Sequence, residues 1–309
     1  MTPQRRRKKI RSYKEKKRNP GFPLKKVLFP LAFLAVIFLY LWGTSRIFAG
    51  NSKITVAVNG REQVYISTFD RESGSVSNLI LPPNTQLNVS RQLGTWKAES
   101  VWRLGENEKL EGVLLSETIL KNFKIPVNAW AEFPFYATSE GKLTGIFKAF
   151  LPYKTNLGMG DRIRLALFSL GVPPAKRINI DLKTQNFLKK TKLIGGEEGF
   201  IISENFPQSL YYLFSDTKVN SANLRIEIQN HSGVGRGADL VAAVLEVLGG
   251  KAAAITRLSS EDFFCEVSGD DKEIVRKIAQ IFDCKIVPSK GTDNFDLTIK
   301  VGEEFARRF

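Results

Sequence analysis

The chain has 309 residues, and its net charge of +15 at pH 7 is concentrated at one end. Residues 1–26 hold 12 of the 46 Lys and Arg side chains and one of the 31 acids, which leaves 34 basic and 30 acidic side chains in the rest. This near balance argues against a nucleic-acid-binding surface spread over the whole chain. The hydrophobic fraction of 43% is ordinary for globular protein, and the length leaves room for about two domains.

A run of 19 uncharged residues, Val27 to Ser45, follows the basic segment. As a helix it would be about 28 Å long, close to the hydrocarbon thickness of a bilayer. We therefore predict a transmembrane helix over 27–48. Lys- and Arg-rich flanks stay on the cytoplasmic side, so residues 1–26 are a cytoplasmic tail and the bulk of the chain lies outside the plasma membrane. A cleaved signal peptide is the alternative, because residues 45–50 end in small side chains that resemble a cleavage site.

The basic tail suits contact with anionic lipid. Its roughly 26 residues contain no helix-turn-helix pattern, so no specific nucleic-acid partner is expected, and a regulator acting on DNA through this tail is the weakest of the functional readings.

The first exported region, 49–218, is predicted to be an α/β domain. Three apolar, β-branched runs predict strands, and the Asp- and Gly-containing turn at 70–74 predicts a hairpin. Apolar residues at helical spacing predict three helices. The predicted strands cover 54–58, 64–69 and 76–81, and the predicted helices cover 108–123, 143–151 and 161–170.

The second exported region, 222–309, is predicted to be a small α+β sandwich of order βαββαββ, with its helices on one face of a sheet. Asp270, followed by Glu273, resembles a capping box at the start of the second helix. The predicted strands are 224–230, 252–258, 263–268, 285–289 and 295–301, and the first helix is 238–248.

Residues 226–250, IEIQNHSGVGRGADLVAAVLEVLGG, resemble the LytR C-terminal domain. The family pattern is a strand, then Asn-Gly-Thr-Gly, a short gap, Gly-x-Ala and a helix. Asn230, Gly233, Gly237 and Ala238 match it, and His231 and Ser232 replace the usual Gly-Thr.

The first region resembles a diverged domain of the LytR-CpsA-Psr (LCP) family, which has an α-β-α fold. The basic tail and the single predicted span are also the layout of that family. The segments that carry the resemblance are 54–58, 64–85, 110–130, 154–167 and 213–230.

The resemblance implies an enzyme that transfers polyprenyl-phosphate-linked glycopolymers onto peptidoglycan, with Arg and Asp side chains and Mg²⁺ around a pyrophosphate. Here Pro83 and Asn84 stand where that family has Arg-Asp. We therefore interpret the chain as a non-catalytic binding or scaffolding protein of the cell envelope, without a metal or cofactor. Its expected partners are membrane lipid and peptidoglycan, a glycopolymer or envelope proteins. The alternative is an active phosphotransferase that uses Mg²⁺, with Arg61, Asp161, Arg162 and Arg164 as the candidate catalytic residues.

Three further features have open interpretations. The glycines of GVGRGA, 233–238, either form a tight turn or present a helix N-terminus to an anion, with Asn230, Gly233, Gly235 and Gly237 as the candidate ligand-binding residues. His231, the one histidine, has no partner cluster for zinc. Cys265 and Cys284 form either a disulfide or two buried thiols, since an exported pair has access to oxidising conditions.

Overall fold

The computed structural model describes residues 43, 45, 47–193, 195–203, 206–288 and 294–309. The basic tail and most of the predicted span over 27–48 therefore lie outside the described residues, which include only Gly43, Ser45, Ile47 and Phe48 of that span. No helix among the described residues is long and apolar enough to cross a membrane. Ser45–Phe309 forms one compact unit.

The first region contains short helices and two sheets. In chain order its elements are α1 (Ile47–Gly50), β1 (Lys53–Asn59), β2 (Val64–Asp70), β3 (Ser75–Leu81), β4 (Thr85–Asn88), β5 (Thr95–Lys97), α2 (Ala98–Asn107), α3 (Gly112–Phe123), β6 (Ala129–Glu132), α4 (Tyr136–Ser139), α5 (Leu143–Ala149), α6 (Met159–Gly171), β7 (Arg177–Asp181), β8 (Leu188–Lys192), β9 (Glu198–Ile202) and α7 (Thr217–Ser221). Short 3₁₀ turns cover Phe133–Phe135, Pro174–Lys176, Leu182–Thr184 and Gln208–Leu213.

The central sheet of this region has the strand order β6-β1-β2-β3-β7. Strands β1, β2 and β3 are antiparallel neighbours, whereas β6 and β7 run parallel to β1 and β3. Successive side chains of a strand point to opposite faces. Ile66 and Leu79 pack with α2 and α3 in one core, and Val56 and Phe69 pack with α4 and α6 in another. The result is an α-β-α arrangement, and the three predicted strands are confirmed. A second sheet has the order β5-β4-β9-β8.

The predicted helix over 108–123 is wrong in its first turn. Helix α3 begins at Gly112, and the separate helix α2 precedes it. The backbone N–H groups of Leu110 and Glu111 both donate to the carbonyl of Gly105, at 2.7 and 2.9 Å. Lys109 and Glu111 have φ angles of 59° and 49°, in the left-handed region, which ends one right-handed helix before the next begins.

The second region follows with the elements β10 (Ile226–Asn230), α8 (Arg236–Leu248), β11 (Ala252–Arg257), β12 (Cys265–Gly269), α9 (Lys272–Phe282), β13 (Lys285–Ile286), β14 (Leu297–Val301) and α10 (Glu303–Arg308). The sheet order is β11-β10-β14-β12-β13. Ile228 and Ile299 on the central strands share one apolar core with Val244 of α8 and Ile278 of α9, so these helices pack on the same face.

Several boundaries differ from the prediction in this region. Helix α8 begins at Arg236, β12 begins at Cys265, and the strand predicted over 285–289 extends only to Ile286. The N-cap of α9 is Asp271 rather than Asp270, because the Asp271 carboxylate accepts hydrogen bonds from the backbone N–H groups of Glu273 and Ile274 at 2.8 and 3.1 Å. Helix α10 was not predicted.

Cys265 and Cys284, whose pairing the sequence left open, are joined in a disulfide with their Cα atoms 4.6 Å apart. Cys265 is the first residue of β12, and Cys284 is the second residue after the end of α9. The bond therefore ties one end of that helix to the sheet on which it packs.

Candidate functional site

The candidate catalytic arginines of the first region occupy separate environments. Arg61, exposed in the turn between β1 and β2, lies with its guanidinium carbon 5.0 Å from the centre of the Phe133 ring. The Arg164 guanidinium carbon lies 5.9 Å from the Phe48 ring centre. These are cation–π contacts rather than a cluster around one anion.

Asp161 is a buried structural group. Only 1% of the residue is exposed, and its carboxylate accepts hydrogen bonds from Ser45 Oγ at 2.8 Å and from the backbone N–H groups of Ile47 and Phe48 at 3.3 and 2.9 Å. The carboxylate thus satisfies donors at the start of α1 that the helix itself leaves unpaired. Asp161 therefore holds Ser45, Ile47 and Phe48, at the end of the predicted membrane span, on the folded domain.

Arg162 is also buried, with 7% of the residue exposed. Its Nε donates to Tyr153 Oη at 3.0 Å, its Nη2 donates to the Leu151 carbonyl, and its guanidinium carbon lies 4.0 Å from the Tyr153 ring centre. Burial raises the pKa of Tyr153, and the nearby Arg162 opposes that rise. The described contacts direct this arginine into the protein, away from Arg61.

The segment that replaces the family's Arg-Asp pair has a backbone role. Asn84 Nδ2 donates to the Glu198 carbonyl at 2.7 Å, and the Asn84 carbonyl accepts from Phe200 N at 3.2 Å. The Pro83 carbonyl accepts from Glu99 N at 3.1 Å. These hydrogen bonds hold the stretch against β9 and the start of α2. Among the described residues no group of three or more His, Cys, Asp or Glu side chains is placed to hold a metal ion.

The glycine-rich turn uses its polar groups internally. Asn230 Nδ2 donates to the Val234 carbonyl at 2.9 Å, and Asn230 Oδ1 accepts from Ser232 N and Oγ at 3.0 and 2.6 Å. Of the three glycines it is Gly233 that has a left-handed φ, 72°. Gly237 lies inside α8, where an added Cβ would come within 3.0 Å of Val301 Cγ1. The tight turn predicted from the glycines therefore has its positive φ at Gly233, whereas Gly237 allows the close approach of Val301.

His231 is 8% exposed and lies beside this turn. Its Nδ1 is 3.2 Å from both the Ser259 carbonyl and the Glu261 carboxylate, and its ring packs edge-on against Phe263. No nucleophilic side chain contacts this ring among the described residues.

A cavity of about 220 Å³ lies between the first and second regions. The first region contributes α3 and the segment 127–130, and the second contributes the end of α9 and the C-terminus. Among the lining residues are Trp130, Asn128, Asn156, Gln280 and Arg308. The lining thus combines an indole, three side-chain amides and charged groups.

The amide carbonyls in this cavity are fixed by backbone donors. Asn128 Oδ1 accepts from Thr55 N at 2.9 Å, and Asn156 Oδ1 accepts from Trp130 N at 2.8 Å. With each carbonyl oxygen so engaged, the Nδ2 groups are the donors that these side chains present. Trp130 is 7% exposed, and its buried indole Nε1 has no hydrogen-bond partner among the described residues. A buried donor without a partner is rare in folded proteins, and it belongs to a residue that lines this cavity.

Glu117 and Arg308 line the cavity, and together with Arg91 they form an Arg–Glu–Arg group around the buried Glu117 carboxylate. Glu117, 5% exposed, accepts from Arg91 Nε and Nη2 at 2.8 and 2.7 Å and from Arg308 Nε at 2.7 Å. Ser90 Oγ adds a hydrogen bond of 3.1 Å. The hydrogen bond to Glu117 raises the pKa of Arg91. With both oxygens occupied, Glu117 is a structural counter-ion that joins the two regions rather than an available base.

Sequence reasoning missed these cavity residues, because nothing local marks them. Glu117 and Arg308 are 191 positions apart in the chain. Asn128 directly precedes β6 and Trp130 lies in it. The apolar residues around them are typical of a buried core strand. A polar side chain at Asn128, between two buried apolar positions, was the one available signal.

No family model matches the chain. No curated protein matches it either.

Solved structures match the chain at low identity. B. subtilis TagT is 16% identical, with a TM-score of 0.35, over 50% of this chain and 85% of that chain. B. subtilis TagV is 9% identical, with a TM-score of 0.36, over 49% and 91%. The Lin1025 protein from Listeria innocua is 10% identical, with a TM-score of 0.36, over 49% and 92%. TagT is described as a LytR-CPS2A-Psr family protein, so the neighbours include proteins of the family that the sequence resembles.

Proposed function

We propose that this chain is an envelope protein held at the plasma membrane, which binds a cell-wall glycopolymer without transforming it. The observation that carries the proposal is the cavity between the two regions, which is lined by three side-chain amides and by Trp130, whose indole N–H has no partner among the described residues. Sugar hydroxyls and acetamido groups offer acceptors for such donors, and an aromatic side chain offers an apolar surface for a sugar ring. The sequence resemblance points to the same ligand class.

The proposed lack of catalysis rests on the engagement of the charged residues. The Asp161 carboxylate holds the end of the predicted span, Arg162 binds the Leu151 carbonyl, and Glu117 is neutralised by two arginines. A phosphotransferase needs several cations aimed at one developing negative charge. Arg61 and Arg162 instead lie against different aromatic rings, those of Phe133 and Tyr153.

Ligand binding can be tested by calorimetry on the full-length chain, with chitotriose and a glycerol-phosphate oligomer as probes. Trp130→Phe keeps the ring and removes the N–H, so one hydrogen bond of about 0.5–1.5 kcal/mol should be lost, or roughly 2- to 10-fold in affinity. Trp96→Phe is the matched control, because Trp96 is exposed and its Nε1 donates to the Leu93 carbonyl outside the cavity. No binding of either probe, or equal affinities in the two variants, would contradict the proposal.

Catalysis can be tested with the same protein. We expect no Mg²⁺-dependent release of pyrophosphate or glycopolymer transfer, and Arg61→Ala should leave function in cells unchanged. Turnover that falls at least about tenfold, or 1.4 kcal/mol of transition-state stabilisation, in Arg61→Ala or Arg162→Ala would establish the phosphotransferase alternative. Circular dichroism of Arg162→Ala controls for loss of its buried contacts.

The proposed orientation can be tested with a reporter fused after Phe309. Because 12 Lys and Arg side chains precede the predicted span, a reporter that works only outside the cytoplasm should be active. A fusion that is active only in the cytoplasm contradicts the envelope location.

A further inference from the structure

Helix α5 exposes its apolar face. Leu143, Phe147, Phe150 and Leu151, on the helix and the turn after it, are 64%, 74%, 54% and 48% exposed. Positions i, i+4, i+7 and i+8 lie on one side of a helix. A surface helix of a globular protein normally buries such a face, so this arrangement is inverted.

The opposite face of α5 explains the inversion. Gly145 and Ala149 are the buried residues of the helix. An added Cβ at Gly145 would lie 2.5 Å from the Ala137 carbonyl oxygen, so close packing against α4 requires the glycine. The small side chains therefore determine which face is buried, and the large apolar side chains are directed outward.

Helix α6 packs against α5 and also exposes large apolar side chains, with Leu167 and Leu170 53% and 37% exposed. Several large apolar side chains exposed on neighbouring helices usually mark a contact with another protein or with a membrane.

Cations lie next to α5. Lys142 directly precedes the helix and is exposed, with Nζ 3.7 Å from the Glu140 carboxylate. Lys148 Nζ lies 5.8 Å from the Phe133 ring centre, over which Arg61 also lies. Apolar side chains bordered by lysine and arginine match the chemistry of an anionic lipid surface.

The chain enters the domain on the same helix pair. Ser45, Ile47 and Phe48 are bound by Asp161 in the first turn of α6, and Arg71 Nη1 donates to the Phe48 carbonyl at 2.9 Å. Ser45, Ile47 and Phe48, at the end of the predicted span, are thus held on the folded domain rather than forming a free linker. Leu167 lies six residues beyond Asp161, or about 9 Å along the helix.

We propose that the apolar face of α5, with the exposed leucines of α6, docks on the outer leaflet of the membrane in which the chain is anchored. The phenylalanine and leucine side chains enter the boundary between headgroups and acyl chains, and Lys142 and Lys148 contact lipid phosphates. This inference rests on the membrane anchoring given under the proposed function. Docking holds the exported domain in a fixed orientation against the lipid.

Site-directed spin labelling of the full-length chain in nanodiscs of phosphatidylglycerol and phosphatidylcholine tests the docking. The two native cysteines are bonded to each other, so an introduced cysteine is the single reactive thiol. Phe147→Cys places the label on α5. Val234→Cys is the matched control, since Val234 is 52% exposed in the second region.

Docking predicts that the Phe147→Cys label collides more with oxygen, which concentrates in lipid, and less with a water-soluble nickel chelate. Its oxygen-to-nickel ratio should be several-fold higher than that of the Val234→Cys label. Equal ratios at the two sites overturn the proposal. Lower collision rates with both reagents at Phe147→Cys also overturn it, because they mean that a second protein copy covers the helix. Failure of the chain to enter nanodiscs at all instead contradicts the anchoring.

Discussion

Lys277 of α9 and Asp216, which precedes α7, form a buried ion pair between the first and second regions. Their side chains are 5% and 3% exposed, and Lys277 Nζ donates to Asp216 Oδ2. Asp216 also accepts from Ser52 Oγ at 3.2 Å and caps α7 through Val219 N at 3.2 Å. The pair therefore joins the start of β1, the connection at α7 and helix α9. We predict that Lys277→Met strongly destabilises the protein.

The magnitude follows from the burial. Methionine has nearly the volume of the lysine stem but no charge, so Asp216 would remain buried as an uncompensated carboxylate. Removing one partner of such a pair costs about 3–5 kcal/mol. Lys218→Met is the matched control, because the Lys218–Glu273 pair is 49% and 47% exposed. Exposed pairs add little to stability, so the control should unfold nearly as the unmodified protein does.

The assay is urea unfolding of the full-length chain in detergent micelles. Trp96, Trp102 and Trp130 lie in the first region and Trp42 lies in the predicted span, so the change in tryptophan fluorescence on unfolding reports the first region and circular dichroism reports both regions. The Lys277→Met midpoint should fall well below that of Lys218→Met. The free energy of unfolding of each variant follows from its urea midpoint and the measured slope. A difference of less than about 1 kcal/mol between the two variants would refute the reasoning.

The pH dependence supplies an independent check. Burial by itself would raise the pKa of Asp216, but the hydrogen bond and charge of Lys277 hold it below the usual 3.8. The stabilisation by this carboxylate is therefore complete above its unfolded pKa and is lost as the pH falls through the lower folded value. In Lys277→Met the acid form of Asp216 is favoured instead. The difference in free energy of unfolding between the unmodified protein and Lys277→Met should be largest at neutral pH, and it should shrink as the pH falls towards 4 and below.

Two further predictions concern the second region. Gly237→Val should lower the free energy of unfolding by about 1–3 kcal/mol through overpacking, because even a Cβ at this position would lie 3.0 Å from Val301 Cγ1. Gly235→Val is the control, because an added Cβ at Gly235 has the Asp239 carboxylate as its nearest neighbour, at 3.4 Å. Equal urea midpoints for these two variants would contradict the packing role. Reduction of the Cys265–Cys284 bond, with a sequence separation of 19, should cost about 3 kcal/mol by the loop-closure relation, and an unchanged midpoint in dithiothreitol would show that it does not stabilise the fold.

The elements that the sequence located well are those whose signal is local. Strands β1 to β3 carry β-branched alternation between turn residues, and α8 and α9 carry apolar stripes at helical spacing. The errors fall where a tertiary contact overrides local preference. Because Leu110 and Glu111 donate to the Gly105 carbonyl, α2 ends and α3 begins only at Gly112. The residue types at 108–111 do not predict these hydrogen bonds.

The candidate site shows the same division. The sequence proposed Arg61, Asp161, Arg162 and Arg164 from their position in a family pattern, and it gave no means of seeing that Asp161 is 1% exposed and bound to the chain entry. The cavity residues come from both exported regions, and their proximity exists only after the two regions pack together.

The sequence by itself determined the charge asymmetry of the chain, the uncharged run after the basic tail, the three strands β1 to β3 of the first sheet and the helix periodicity of the second region. These follow from composition and from spacings of a few residues. Tertiary structure alone decided that Glu117 is shared by Arg91 and Arg308, that Trp130 lies in a cavity, and that α5 turns its large side chains outward. The face that a helix buries depends on what lies opposite it. Only Gly145 and Ala149 are small enough for the close approach of α4, so packing places the apolar stripe of α5 in contact with solvent.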